Sequence, residues 1–209
     1  MIEEILKLDS DLFLYFNNLG NPYFDSFWMF LSKTEANVIV YLLVLMAYIY
    51  SINKKKRAKT LFRLIIAVAI LITISDQTSN LFKDSFQRLR PCYNELISDS
   101  LRLLKESCGG RYGFFSAHAS NSFSLAIFFG LLLRSSNRLF IFLFAIYAFL
   151  ISYSRIYLGV HYPIDILVGA IFGTINAIVL FKIYLYSFNF LNKSWPRIIF
   201  FCFYNIWDI

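Results

Sequence analysis

The chain has 209 residues, of which 58% are hydrophobic, 20% aromatic and 16% charged, and its formal net charge is +7. Soluble domains carry about 25% charged residues, so this composition excludes an ordinary soluble domain and indicates an integral membrane protein. The Lys and Arg residues collect in short connections between apolar runs, as membrane proteins require. We therefore expect no nucleic-acid partner, and we predict a single membrane-embedded domain over residues 1–209.

The first 33 residues do not form an uninterrupted apolar run. Acidic residues at positions 3, 4, 9 and 11 alternate with apolar ones, and several aromatic residues follow. This pattern predicts amphipathic helices that lie on the outer membrane interface, with a sixth, N-terminal crossing as the alternative. Because the segment starts with acidic rather than basic residues, we expect no cleavable signal peptide.

Five apolar runs follow, each near the minimum length that crosses a bilayer. A helix of about 17–25 residues spans the hydrocarbon and satisfies its own backbone hydrogen bonds there. The sequence therefore predicts an all-α, polytopic bundle with five transmembrane helices. The predicted spans cover residues 36–51, 64–82, about 116–133, 139–154 and 164–187.

Basic residues orient this bundle. Five Lys and Arg residues between positions 54 and 59 follow the first run, and such clusters mark the cytoplasmic side. Alternation then places the connections 83–115 and 154–163 outside and 134–138 inside. The basic residues after the last run agree with an inside tail: Lys182, Lys193 and Arg197.

The outer loop 83–115 carries six basic and four acidic residues, although outer loops are usually poor in cations. Either the topology rule is simply violated, or these cations bind an anion. Cys92 and Cys108 lie in the same loop, where an oxidising exterior would favour a disulfide between them. The alternative is two free thiols in a cytoplasmic loop, which would invert the topology.

The chain has two histidines, His118 and His161, and both fall at the outer ends of predicted spans. A single histidine is usually structural, but the shared depth favours a common site. Pro163 suits the first turn of a helix, which brings Asp165 within reach of one ring nitrogen of His161. That bond would leave the other nitrogen as a nucleophile, while His118 could protonate a leaving oxygen.

Positive charge gathers at the same face through Lys83, Arg90 and Arg155. Helix N-termini at residues 116 and 163 add backbone N–H donors. Together these groups suit the oxygens of a phosphoryl group, whose transfer depends on positioning and on charge stabilisation.

Four other charged residues receive simpler interpretations. For Arg88, Arg102 and Lys105 we expect interfacial side chains whose apolar stems lie along the bundle. Asp76 lies inside the second span, where a carboxylate is costly in lipid, and we expect it to face the bundle interior.

These residues resemble the three motifs of the type 2 phosphatidic acid phosphatase superfamily. Lys83 and Arg90-Pro91 match its lysine, six residues, arginine-proline motif. Residues 154–165, "SRIYLGVHYPID", match its serine-arginine, five residues, histidine, three residues, aspartate motif. The middle motif is proline-serine-glycine-histidine in the family, and residues 115–118 read Phe-Ser-Ala-His here, so two of its four positions differ.

The resemblance implies a bacterial inner-membrane helical bundle with its site at the periplasmic or exterior face. It also implies hydrolysis of a lipid phosphate ester or anhydride without a metal or another cofactor. We expect undecaprenyl pyrophosphate as the substrate, with lipid A, phosphatidylglycerol phosphate and phosphatidate as alternatives. The implied site consists of the phosphohistidine-forming His161, its partner Asp165, the acid His118, and the phosphate-binding Lys83, Arg90, Ser116 and Arg155.

A different class of function remains open at this stage, namely a redox protein in which His118 and His161 ligate haem. Haem ligation gives no reason for the spacing of the lysine and arginines. The sequence leaves the oligomeric state and the choice between mono- and pyrophosphate undetermined.

Overall fold

The computed structural model describes residues 1–105 and 107–191, and this part of the chain contains seven α-helices and no β-strand. The expected all-α polytopic bundle is confirmed. The expected inside tail at Lys193 and Arg197 lies outside the described residues. The helices are α1 (Ile2–Asn18), α2 (Pro22–Leu31), α3 (Thr34–Ser51), α4 (Lys54–Phe86), α5 (Ala117–Leu133), α6 (Leu139–Tyr157) and α7 (Pro163–Leu191), and a 3-10 turn covers Pro91–Tyr93.

Four of these helices, α3, α4, α6 and α7, are long and apolar enough to cross a membrane. The fifth predicted span, α5, is a shorter apolar helix of 17 residues and is therefore about 26 Å long at 1.5 Å per residue. It packs against α4, α6 and α7 at the centre of the bundle. Although α5 is shorter than the helices of the other predicted spans, three neighbouring helices surround it.

Helix α4 is much longer than the predicted span 64–82. It begins at Lys54, where the Asn53 side chain caps it by accepting a hydrogen bond from the Lys55 N–H. The basic cluster 54–59 thus lies in the first turns of a helix, not in a loop, because no residue there breaks the helix. The helix ends at Phe86, and the next residue, Gln87, has a left-handed backbone with φ 47°.

Small residues bring α5 and α7 into close contact. A Cβ atom at Gly169 would lie 2.6 Å from the Ser116 carbonyl oxygen, and one at Gly173 would collide with the Ser120 carbonyl. The Ser116 N–H also donates to the Asp165 carbonyl at 3.0 Å. This packing of small residues, common between membrane helices, holds the N-termini of α5 and α7 at one end of the bundle.

The N-terminal helices α1 and α2 pack on that same end, against α6 and α7. Buried Phe13 lies edge-on to Tyr162, with ring centroids 5.4 Å apart. The Asn17 amide is fully buried and donates to the carbonyls of Ile156 and Tyr157, at 3.0 Å each. Neither α1 nor α2 meets the length and apolarity of a spanning helix, and their position on the outer interface stays a prediction.

Candidate active site

A cavity of about 670 Å³ opens at this end of the bundle. Five of the seven predicted catalytic and phosphate-binding residues line it, although they come from α4, α5, α6 and two connections. They are Lys83, Arg90, His118, Arg155 and His161. Asp165 lies behind His161, and Ser116 lies next to the cavity-lining Ala117.

His161 is 2% exposed and lies in the five-residue connection between α6 and α7. Its Nδ1 is 3.4 Å from Asp165 Oδ2, so Nε2 is the nitrogen available to a phosphorus atom in the cavity. Burial, reinforced by the positive charges of Arg90 and Arg155, holds the pKa of His161 well below its ordinary value of 6.5. The imidazole is therefore neutral at pH 7 and has the electron pair that a nucleophile needs.

Asp165 is fully buried in the first turn of α7, and both of its carboxylate oxygens have partners. Oδ2 accepts from the Tyr162 N–H at 3.1 Å and faces His161. Oδ1 accepts from Arg88 Nη1 at 2.9 Å. These contacts fix the plane of the carboxylate against the imidazole ring.

The expectation that Arg88 is an interfacial side chain is therefore wrong. Its second guanidinium nitrogen, Nη2, donates to Asp9 Oδ2 at 2.5 Å, and both carboxylates have fully buried side chains. Sequence reasoning missed Asp9 because nothing in the pattern of α1 separates it from exposed Asp11. The position of Arg88 inside the Lys83 to Arg90 motif was the only available signal.

The cations that are predicted to bind phosphate are held by hydrogen bonds to other parts of the protein. Arg155 is 4% exposed, its Nη1 donates to Ser32 Oγ, and its Nε has no partner among the described residues. Arg90 donates from Nη1 to the Cys108 carbonyl at 3.0 Å and from Nε to the Tyr112 carbonyl at 3.3 Å. Burial lowers the pKa of Arg90, and the charge of Asp165 opposes that shift. A bound anion would relieve the cost of burying this positive charge.

The loop over the cavity is held in place by covalent and ionic contacts. Cys92 and Cys108 form a disulfide with their Cα atoms 6.5 Å apart. Arg102 makes two hydrogen bonds to Asp25 of α2, at 2.8 and 2.5 Å. Lys105 lines the cavity, and burial and nearby Arg155 lower its pKa. Arg102 therefore anchors the loop to α2, and Lys105 is part of the cavity wall. The expectation that both are interfacial side chains is wrong.

Ser116 is fully buried and caps α5, with its Oγ accepting from the Ala119 N–H at 3.4 Å. Its predicted contact with phosphate stays a prediction. Ala117 is the first residue of α5 and has helical torsions, so the position needs no glycine. His118 follows at the second position and lines the cavity together with His161.

An apolar groove of about 580 Å³ meets the cavity at Ala117 and His118. It runs between α3, α4 and α5, along residues such as Leu45, Ile72 and Leu125. Asp76 lies in its wall and accepts a hydrogen bond from Asn121 at 2.8 Å. The arrangement places a cationic cavity and an apolar groove side by side, which suits a ligand with an anionic head and an apolar tail.

The comparisons with known proteins agree with this geometry. The family model described as PAP2 superfamily matches residues 64–189. The chain is 37% identical over 175 residues to a lipid A 4'-phosphatase of Bacteroides thetaiotaomicron, covering 83% of this chain and 75% of that protein. It is 33% identical over 197 residues to a lipid A 4'-phosphatase of Porphyromonas gingivalis, covering 93% and 81%.

A solved structure supports the same assignment. The crystal structure of LpxE from Aquifex aeolicus superposes with a TM-score of 0.62 at 26% identity, covering 82% of this chain and 93% of that one. The match to the family model extends over more than half of the chain and includes all three motifs. The chain therefore belongs to the PAP2 superfamily and is a membrane lipid phosphatase.

Proposed function

We propose that this enzyme removes a phosphate from lipid A, at the 4' position of its headgroup. The observation that carries this proposal is the similarity to two lipid A 4'-phosphatases across 83% and 93% of the chain. It favours the alternative over our first expectation, because neither relative supports undecaprenyl pyrophosphate as the substrate. The cationic cavity supplies the phosphate site, and Lys105 adds a positive charge outside the three motifs.

In the proposed reaction, Lys83, Arg90 and Arg155 bind the phosphate oxygens, and Ser116 and the N-terminus of α5 assist. His161 Nε2 then attacks phosphorus, and the bond from phosphorus to the leaving oxygen breaks as His118 donates its proton to that oxygen. Asp165 stabilises the positive charge that develops on the His161 ring.

Water completes the reaction by attacking the phosphohistidine. His118, now neutral, takes a proton from the water, the N–P bond breaks, and inorganic phosphate leaves with His161 regenerated. The apolar groove supports a lipid substrate, because an acyl chain lying there would place its headgroup beside His118. None of these steps requires a metal ion.

We also propose that the site faces the periplasm. The basic cluster 54–59 and Lys83 lie at opposite ends of the 33-residue helix α4. Since basic clusters mark the cytoplasmic side, the cavity falls on the opposite side. The disulfide of the loop fits an oxidising compartment. A membrane-impermeant thiol reagent applied to intact cells after reduction would label Cys92 and Cys108 if this orientation holds.

The deciding experiment measures phosphate release by the purified protein, with EDTA present, from four lipids in separate reactions. These are lipid A bearing both phosphates, undecaprenyl pyrophosphate, phosphatidylglycerol phosphate and phosphatidate. We expect lipid A to be turned over with the highest kcat/KM, and mass spectrometry to show loss of the 4'-phosphate. A higher kcat/KM for another lipid would overturn the substrate assignment, and a visible haem band with no phosphate release would overturn the enzyme mechanism.

A further inference from the structure

Two buried carboxylates from distant parts of the chain share one guanidinium group. Asp9 lies on α1 and Asp165 on α7, and Arg88 lies in the segment after α4. Arg88 Nη1 is 2.9 Å from Asp165 Oδ1, and Arg88 Nη2 is 2.5 Å from Asp9 Oδ2. Both carboxylate side chains are fully buried, and that of Arg88 is 18% exposed.

The surrounding contacts fix this Asp9–Arg88–Asp165 bridge in one geometry. The Arg88 guanidinium carbon lies 4.1 Å from the centre of the Tyr162 ring, which Phe13 of α1 supports from the side. Asp9 Oδ1 accepts from the Ile164 N–H at 2.9 Å, so Asp9 also caps the first turn of α7. The same turn carries Asp165. Helix α1 therefore contacts both Arg88 and the turn that bears the carboxylate facing His161.

The charges explain why the bridge matters for the reaction. One guanidinium faces two buried carboxylates, and burial raises the pKa of Asp9 despite the opposing effect of Arg88. Without Arg88, two buried negative charges would face each other with no cation between them, and the pair would bind a proton. A protonated Asp165 would lose its ability to stabilise the positive ring that forms when His161 attacks phosphorus.

We propose that Arg88, anchored by Asp9, is a positioning residue that keeps Asp165 ionised and aims its Oδ2 at His161. The inference rests on the proposed role of His161 as the nucleophile. It extends the site to α1, which lies outside residues 64–189 matched by the family model. The N-terminal helix is then part of the catalytic apparatus and not only a cap that packs over it.

The test is the pH dependence of kcat/KM, measured with the full-length protein in detergent for matched variants. The titratable and charged groups that face His161 and Asp165 are Asp9, Lys83, Arg88, Arg90, His118, Arg155 and Tyr162. We expect Arg88→Ala to lower kcat about 10–100-fold with KM nearly unchanged, a loss of the size known for hydrogen-bond partners of metal-ligating histidines. The acid limb of its profile should move to higher pH, because the carboxylates lose their counter-ion.

The opposite shift is expected for Asp9→Asn. This change removes a negative charge from beside Asp165, so the acid limb should move to lower pH, with a smaller loss of kcat. Arg88→Lys keeps the charge but not both hydrogen bonds. Compared with Arg88→Ala, it should return the acid limb to its wild-type pH and recover part of kcat. Asp11→Asn, on the exposed side of α1, is the matched control and should leave both quantities unchanged.

A purely structural role predicts a loss of folded protein without opposite shifts of the acid limb. If Arg88→Ala does not fold, Arg88→Lys and Asp9→Asn still decide the matter. Wild-type kcat in Arg88→Lys together with an unmoved acid limb in Asp9→Asn would overturn the proposal. Shifts of the same sign in Arg88→Ala and Asp9→Asn would overturn it as well. His161→Ala distinguishes failure of the positioning role of Arg88 from failure of the proposed nucleophilic role of His161. An inactive His161→Ala beside unaffected Arg88 variants would refute only the positioning role.

Discussion

The cationic cavity and the apolar groove have similar volumes, about 670 and 580 Å³, and meet at His118, yet they differ in how they are built. Three separate motifs, a disulfide and two N-terminal helices converge on the cavity. The groove is a gap between α3, α4 and α5 whose wall is mainly aliphatic. From this difference we expect the cavity to determine the chemistry and the groove to determine which lipid presents its headgroup.

The largest effect that would test this division is the loss of the nucleophile. His161→Ala should lower kcat by about 10³-fold or more on every lipid, because the proposed nucleophile is then missing. Lipid binding should persist, since the groove is intact. Phosphate release and equilibrium binding of a labelled lipid would check both parts. Wild-type turnover by this variant would contradict the assigned mechanism.

Loss of His118, which lies where the cavity and the groove meet, should have a smaller and more selective effect. His118→Ala should lower kcat about 10²-fold for an alkyl phosphate, because the leaving oxygen then departs without a proton. For a nitrophenyl phosphate the loss should be much smaller, since that leaving group needs no proton. Equal losses for both substrates would show that His118 binds phosphate instead of donating a proton.

The fold was largely predictable from the sequence, because apolar runs and motif spacing depend on local rules. The predicted site residues Lys83, Arg90, His118, Arg155 and His161 were singled out from their spacing, and the structure brings them to one cavity. The ion pairs were not predictable. Arg88 and Arg102 look like ordinary span-end cations, and their partners Asp9 and Asp25 lie 79 and 77 residues away in the sequence.

The groove was missed for a related reason. An apolar residue that lines a gap between helices has the same sequence signal as one that faces the bilayer or the core. Leu125 of α5 lines the groove while Leu143 of α6 is 50% exposed, and the sequence treats them alike. Only the packing of α3, α4 and α5 distinguishes the groove-lining position from the exposed one.

The disulfide tests how far the cavity depends on its loop. It closes a loop of 16 residues and carries the Cys108 carbonyl that holds Arg90. Cys92→Ser should lower the free energy of unfolding by about 3 kcal/mol, the loss typical of a loop of this size. It should also raise KM a few-fold through Arg90 while leaving groove occupancy unchanged. Thermal unfolding in detergent with and without reductant would measure the first, and a variant as stable as wild type would contradict it.

The smallest expected effect isolates the groove. Leu125→Trp would place a large ring between α3 and α5, so it should raise KM about 10-fold for a long-chain lipid, the cost of roughly 1.4 kcal/mol of lost apolar contact. A short-chain or soluble phosphate ester does not reach the groove and should keep its wild-type KM. Leu143→Trp, on the exposed face of α6, is the matched control. Equal changes for both substrates would mean that the ring distorts His118 and that the groove and cavity are a single site, whereas a selective change would show that lipid recognition and phosphoryl transfer are separable functions of this bundle.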